Sequence, residues 1–294
     1  MKPDDIRRLR IAIAILLLGY SVPIFQLVRF ALGNDLYSHV ILLPFVSAYL
    51  VWLKRPLPNQ PGTRLSPLWA LVFIFPGGCV LSWYYVDLLS SHQPPTQDSL
   101  ALVTYSLVLF LSGTCCWLLS RPTLRMIAFP LGFLVFLAPF PVLVEAGLEK
   151  FLQHGSSFVA EAFFKIIGTP VFRDGTVFHL PGFDMQVAPE CSGIHSTLAL
   201  LITSLVAGQI LLRSHWTRAV LALAVLPIAL LRNGLRVTTI GELCVRIGPE
   251  MIDSYIHRHG GPIFFAISLV PFSLLLFLLL RFEKTRGSLL NPTP

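Results

Sequence analysis

The chain has 294 residues, 54% hydrophobic and 13% charged, with a mean hydropathy of +0.73. Soluble domains carry roughly 25% charge, so the composition excludes a soluble enzyme and a disordered chain and points to a protein dissolved in a bilayer. The net charge of +7, from 22 Lys and Arg against 15 Asp and Glu, suits either nucleic acid or a membrane topology, and the placement of the charges decides between them.

Uncharged apolar stretches of spanning length run over 11–28, 36–53, 65–86, 99–120, 126–144, 191–212 and 259–280. An eighth starts at Ala219 but meets Arg232. The first stretch is too long for a typical signal peptide and has no small-residue cleavage site after it, so it reads as a retained span. With eight spans, the N-terminus, the C-terminus and three loops share one side. That side holds Lys2, Arg7, Arg8, Arg10, Lys54, Arg55, Arg64, Arg121, Arg125, Arg213, Arg218, Arg281, Lys284 and Arg286, fourteen of the 22 basic residues. The positive-inside rule then predicts both termini in the cytoplasm. The charge is topological, and nucleic acid drops out as a partner.

The expected architecture is therefore an all-α polytopic bundle forming one membrane domain, 1–294. It has five N-terminal spans (1–144), an extracytoplasmic segment (145–190) and three C-terminal spans (191–294). In the extracytoplasmic segment, Leu148, Phe151, Leu152, Phe158, Val159, Ala162, Phe163 and Ile166 have helical spacing, which predicts an amphipathic helix over 147–167 at the membrane surface. The period then changes. Asp174-Gly175 is a hairpin turn signal, and Pro181-Gly182 is a second turn, so a small two- or three-stranded sheet is expected. It delivers the chain to Ala188-Pro189-Glu190-Cys191.

Cys191 is predicted to open span six. Unpaired N–H groups and the positive dipole end of a helix favour a thiolate there and suit an oxyanion; an ordinary small apolar residue at a helix start is the plain alternative. A Cys191–Cys244 disulfide has nothing in the sequence to support it, and no Cys/His spacing suggests a metal. Arg232 and Arg236 share one face of span seven, facing a polar cavity or snorkelling to the interface. His257 and His259 precede span eight, His195 is placed one turn inward of Cys191 as a rival base, and Asp35 and His39 flank span two. A cysteine, an arginine and a histidine on the outer side are the parts of nucleophilic acyl chemistry.

Three runs, Ala188-Pro189-Glu190-Cys191-Ser192-Gly193-Ile194, Asn233-Gly234-Leu235-Arg236-Val237 and His257-Arg258-His259-Gly260-Gly261, together resemble the exosortase/archaeosortase family. So do the Gly-Thr-Pro-Val, Asp-Gly and Leu-Pro-Gly lead-in and His39 with Leu42-Leu43-Pro44. The resemblance implies a membrane cysteine protease-transpeptidase of the bacterial inner membrane, with no cofactor and its active site on the extracytoplasmic side. Its substrates would be exported proteins with a C-terminal signal: a short motif such as Pro-Glu-Pro, one spanning helix and a basic tail. Exopolysaccharide or envelope machinery is an implied partner. By motif, Cys191 is the nucleophile, Arg236 the Asn-x-x-Arg arginine and His257 the His-x-x-x-Gly histidine, with His259 its neighbour and rival. A transporter would also explain an intramembrane arginine, but no inverted repeat and no acid at mid-membrane in a clean span accompany it. A serine protease using Ser192 lacks the Gly-x-Ser-Gly run. A non-catalytic envelope assembly protein would tolerate change at all three residues.

Overall fold

In the computed structural model, which describes residues 3–54, 66–91, 94–254, 256 and 260–290, the first predicted span is not one rod. It is helix α1 (Pro3–Gly19) followed by α2 (Ser21–Leu32), with a bend of 66° between them. Pro23 explains the break. Its ring lacks the N–H that would reach the Gly19 carbonyl and crowds that oxygen. Tyr85 takes the freed carbonyl instead, its Oη donating at 2.9 Å.

A 3₁₀ turn, Asp35–Ile41, leads into α3 (Leu43–Leu53), and α4 (Pro67–Ser91) and α5 (Gln97–Leu118) follow. Helix α6 (Arg121–Phe133) continues as a 3₁₀ turn to Leu137, so the predicted fifth span of 126–144 ends early. Pro139 and Pro141 disfavour helix both at themselves and at the residues before them. Helix α7 (Val142–Ile167) then begins, with Asp98 Oδ1 accepting from the Val142 N–H at 2.8 Å. Nearby, Tyr37 Oη donates to Glu145 Oε2 at 2.7 Å and Gln97 Nε2 donates to the Phe140 carbonyl at 2.8 Å.

Among the described residues, six helical stretches are by themselves long and apolar enough to cross a membrane: Asp35–Leu53, Pro67–Ser90, Gln97–Leu118, Ile194–Leu211, His215–Arg246 and Gly261–Thr285. Two bent helix pairs, at the first and fifth predicted spans, bring the number up to eight if each pair counts as one span. The stretch interrupted by Arg232 thus qualifies, while two uncharged ones are the broken ones. A buried charge does not interrupt a helix here, and both breaks carry prolines, although Pro76, Pro130 and Pro271 lie inside continuous helices.

The chain forms two compact units, Met1–Glu145 and Ala146–Pro294. The second holds most of α7, the sheet and four further helices: α8 (Ile194–Leu211), α9 (His215–Leu223), α10 (Val225–Arg246) and α11 (Gly261–Leu290). The large apolar residues Leu148, Phe151, Phe158 and Ile166 of α7 are exposed. Its buried face is small and polar instead, with Gln153, Ser156, Ser157 and Ala160 beside Leu152 and Phe164. That face packs on α10. A Cβ at Gly234 would lie 2.5 Å from Val159 Cγ1, and one at Gly241 would lie 2.5 Å from Phe164 Cζ, so only glycine permits so close an approach.

Three antiparallel strands follow, β1 (Phe172–Asp174), β2 (Val177–Leu180) and β3 (Phe183–Gln186), in the order β1-β2-β3. Both predicted turns hold, with Gly175 and Gly182 at φ +60° and +90°. Alternation puts Phe178, Leu180 and Met185 on the inner face, where they join Ala160, Phe164, Val237, Ile240 and Cys244 in one core. The Phe164 and Phe178 rings lie 5.7 Å apart. On α7, Glu161 pairs with Arg173 of β1 at 2.6 Å and ties the sheet's outer strand down. A second core, built on Leu200, Leu212, Leu221, Val225, Ile228 and Phe272, joins α8 to α11.

Candidate active site

The sheet ends at Gln186, and the carbonyl of the next residue, Val187, accepts from the buried Gln153 Nε2 of α7. Pro189 then starts a 3₁₀ turn, Pro189–Cys191. Cys191 N–H bonds the Ala188 carbonyl and Ser192 N–H the Pro189 carbonyl, both at 2.9 Å. Gly193 adopts φ +78°, and α8 begins only at Ile194. Cys191 therefore does not open span six, as the sequence predicts, but sits in a separate turn before it. Glycine is required at 193 twice over. The conformation is left-handed, and an added Cβ would lie 2.7 Å from Arg232 Nη2.

Those contacts come from α10. Asn233 Nδ2 donates to the Cys191 carbonyl at 2.8 Å, to the Ser192 carbonyl at 3.2 Å and to Ser156 Oγ of α7 at 3.0 Å. Arg232 Nη2 donates to the Gly193 carbonyl at 3.2 Å. Arg232 is buried and does not snorkel. Among the described residues its Nη1 and the Ser192 Oγ have no hydrogen-bond partner. The burial of Ser192 also speaks against it as an exposed nucleophile.

Cys191 is half-buried and borders a cavity of about 30 Å³ together with Arg236, Val187, Val237 and Ile240. That is room for a water molecule or two. A second cavity, of about 450 Å³, is bordered by Arg236, Glu149, Gly193, Ile194, His195 and Pro262, among others. Arg236 lines both. The structure thus brings Cys191 and Arg236 to one small cavity and sets Arg236 between it and a peptide-sized one.

His195 is exposed on the first turn of α8 and lines the larger cavity but not the one holding Cys191. The one-turn relation predicted for the two does not exist, because no helix joins them. Asp35 and His39 lie in the first unit's 3₁₀ turn. His257 and His259 lie outside the described residues, but Gly261 and Pro262, just after them, line the larger cavity. No disulfide joins any of the five cysteines. Among the described residues no group of three or more His, Cys, Asp or Glu is placed to hold a metal.

Sequence reasoning gave no role to Asn233, Gln153 or Ser156. Asn233 was visible in the Asn-x-x-Arg run, and the other two only as polar positions on an apolar helix.

The transmembrane exosortase family matches residues 28–274. No curated protein and no solved structure matches the chain. The match covers most of the chain, which belongs to the transmembrane exosortase family.

Proposed function

We propose that this member of the exosortase family is a cysteine peptidase-transpeptidase that removes the C-terminal sorting signal of exported proteins. The observation that carries this reading is the shared cavity of Cys191 and Arg236, contributed by a turn and a helix far apart in sequence. The Cys191 thiolate attacks the carbonyl carbon of the scissile bond and forms a C–S bond. The resulting oxyanion is met by the Arg236 guanidinium, whose fork of N–H donors suits a planar or developing anion. Collapse of the intermediate breaks the C–N bond, and the leaving amine takes a proton from the histidine, assigned by motif to His257. Water or an acceptor amine then attacks the thioester and releases the acyl group.

The basic residues of the loops support an active site on the extracytoplasmic side of the inner membrane, with both termini inside. A substrate helix with a basic cytoplasmic tail obeys the same charge rule. The scissile bond then falls near the outer surface, level with the turn that carries Cys191.

The test is a blot of a reporter bearing a Pro-Glu-Pro-type C-terminal signal, expressed with the wild-type chain or with Cys191→Ala. The wild type is expected to shorten the reporter and the variant to leave it whole. Continued processing by Cys191→Ala would remove Cys191 from the role of nucleophile.

A further inference from the structure

We propose that Asn233, seconded by Arg232, is a positioning residue that fixes the turn carrying the nucleophile; the proposal rests on the reading of Cys191 given above. Three consecutive carbonyls, those of Cys191, Ser192 and Gly193, are all taken by two consecutive side chains of α10. Both side chains are almost fully enclosed, Asn233 2% and Arg232 5% exposed. A buried amide or guanidinium inside a spanning helix is costly. An apolar residue would fill the same space without that cost, so the polar groups are there for what they bind.

A purely structural reading would make Asn233 glue between α10 and α7 through Ser156. That contact is a minority of what the amide does. Ser156 Oγ donates its own proton to the Leu152 carbonyl, so it meets Asn233 only as an acceptor. The other two contacts of Nδ2 go to the nucleophile and its neighbour.

The consequence follows from peptide geometry. In a planar trans peptide the C=O and the following N–H point in opposite directions. Holding the Ser192 and Gly193 carbonyls on α10 turns the N–H groups of Gly193 and Ile194 away from Asn233 and Arg232. It also locks the Cys191 backbone, and so fixes where its sulfur stands relative to Arg236. The left-handed Gly193 is the link that lets the chain pass from this clamped turn into α8.

The experiment reads the thiol directly. The full chain in detergent is alkylated with N-ethylmaleimide over a range of pH, and the rate at Cys191 is read by mass spectrometry of its peptide. Cys244, 2% exposed in the same unit, reports folding in the same sample. Asn233→Ala and the near-isosteric Asn233→Leu are each expected to change the Cys191 alkylation rate near neutral pH by about tenfold, equivalent to about 1.4 kcal/mol, because the turn that fixes the sulfur is released. Cys244 stays protected. Ser156→Ala removes only the α7 partner and keeps the wild-type profile.

Profiles of both Asn233 variants that superpose on the wild type would overturn the proposal. So would a shift in Ser156→Ala as large as that in Asn233→Ala, which would make the amide interhelix glue. Labelling of Cys244 in both Asn233 variants would do the same, by making Asn233 a general fold residue. Failure of the peptidase reading looks different: the Asn233 shift would persist while the wild-type chain processed no reporter.

Discussion

Replacing Gly234 by alanine tests the packing that brings α10 to α7. The new Cβ would stand 2.5 Å from Val159 Cγ1, 2.8 Å from Val159 Cβ and 3.2 Å from the Ala160 backbone nitrogen. Ordinary carbon contacts are about 3.5–4.0 Å, so the Val159 contact must open by about 1 Å. Valine has one strongly preferred rotamer in a helix, and the third neighbour is backbone, so neither yields by a side-chain turn. Overpacking of this kind costs about 1–3 kcal/mol. Alanine returns about 1 kcal/mol in helix propensity, and the net loss is up to about 2 kcal/mol. A shift of about 2–4 °C per kcal/mol for a unit of this size makes the expected fall in Tm up to about 8 °C. The assay is thermal unfolding of the detergent-solubilised full chain, with Gly147→Ala as control. Gly147 lies on α7, and a Cβ added there would meet nothing within 4 Å, so its alanine is expected to be neutral or stabilising. A Gly234→Ala Tm at or above that of the wild type would refute the close-packing argument.

Phe178→Ala empties the centre of the core between the sheet, α7 and α10, because Phe178 is 0% exposed; the expected cost is about 3–5 kcal/mol, read as new alkylation of Cys244, which shares that core. Asp98→Ala removes the acceptor of the Val142 N–H and is expected to cost about 0.5–2 kcal/mol, as for loss of a helix cap, seen as a Tm fall smaller than that of Phe178→Ala. Arg236→Lys keeps the charge and loses the fork. Reporter processing should drop about a hundredfold, the scale of losing one oxyanion donor, with Tm unchanged, and full processing would contradict the role given to Arg236.

Much of the membrane architecture was written in hydropathy, because a spanning helix advertises itself by length and apolar content alone. What hydropathy does not carry is continuity. Pro23, Pro139 and Pro141 sit inside apolar runs and leave the average untouched, yet they accompany the two breaks, while Pro76, Pro130 and Pro271 ride inside continuous helices. The hairpin was legible because Asp174-Gly175 and Pro181-Gly182 signal turns directly. At the site, Cys191 and Arg236 were legible as chemistry and the structure brings both to one cavity. The turn around Cys191 was not, since Pro189 suits the start of an α-helix as well as a 3₁₀ turn, and the left-handed Gly193 is set by α10 rather than by its neighbours in sequence. Asn233 was overlooked because its partners are backbone carbonyls, which no sequence displays.

Helix α7 is turned inside out by the standards of a water-soluble protein. Its bulky apolar stripe, Leu148, Phe151, Phe158 and Ile166, looks outward, and its inward face is made of Gly155, Ser156, Val159 and Ala160, set against Leu230, Asn233 and Gly234 of α10. Tolerance to substitution should divide accordingly. On the outer stripe volume is free, because these side chains stand clear of the rest of the described chain. On the inner face a serine is at home but a leucine is not, because bulk is the constraint. A hydropathy ranking of this helix would count the exposed Leu148, Phe151, Phe158 and Ile166 together with the true core residues Leu152 and Phe164, and would mark the fully buried Ser156 as surface.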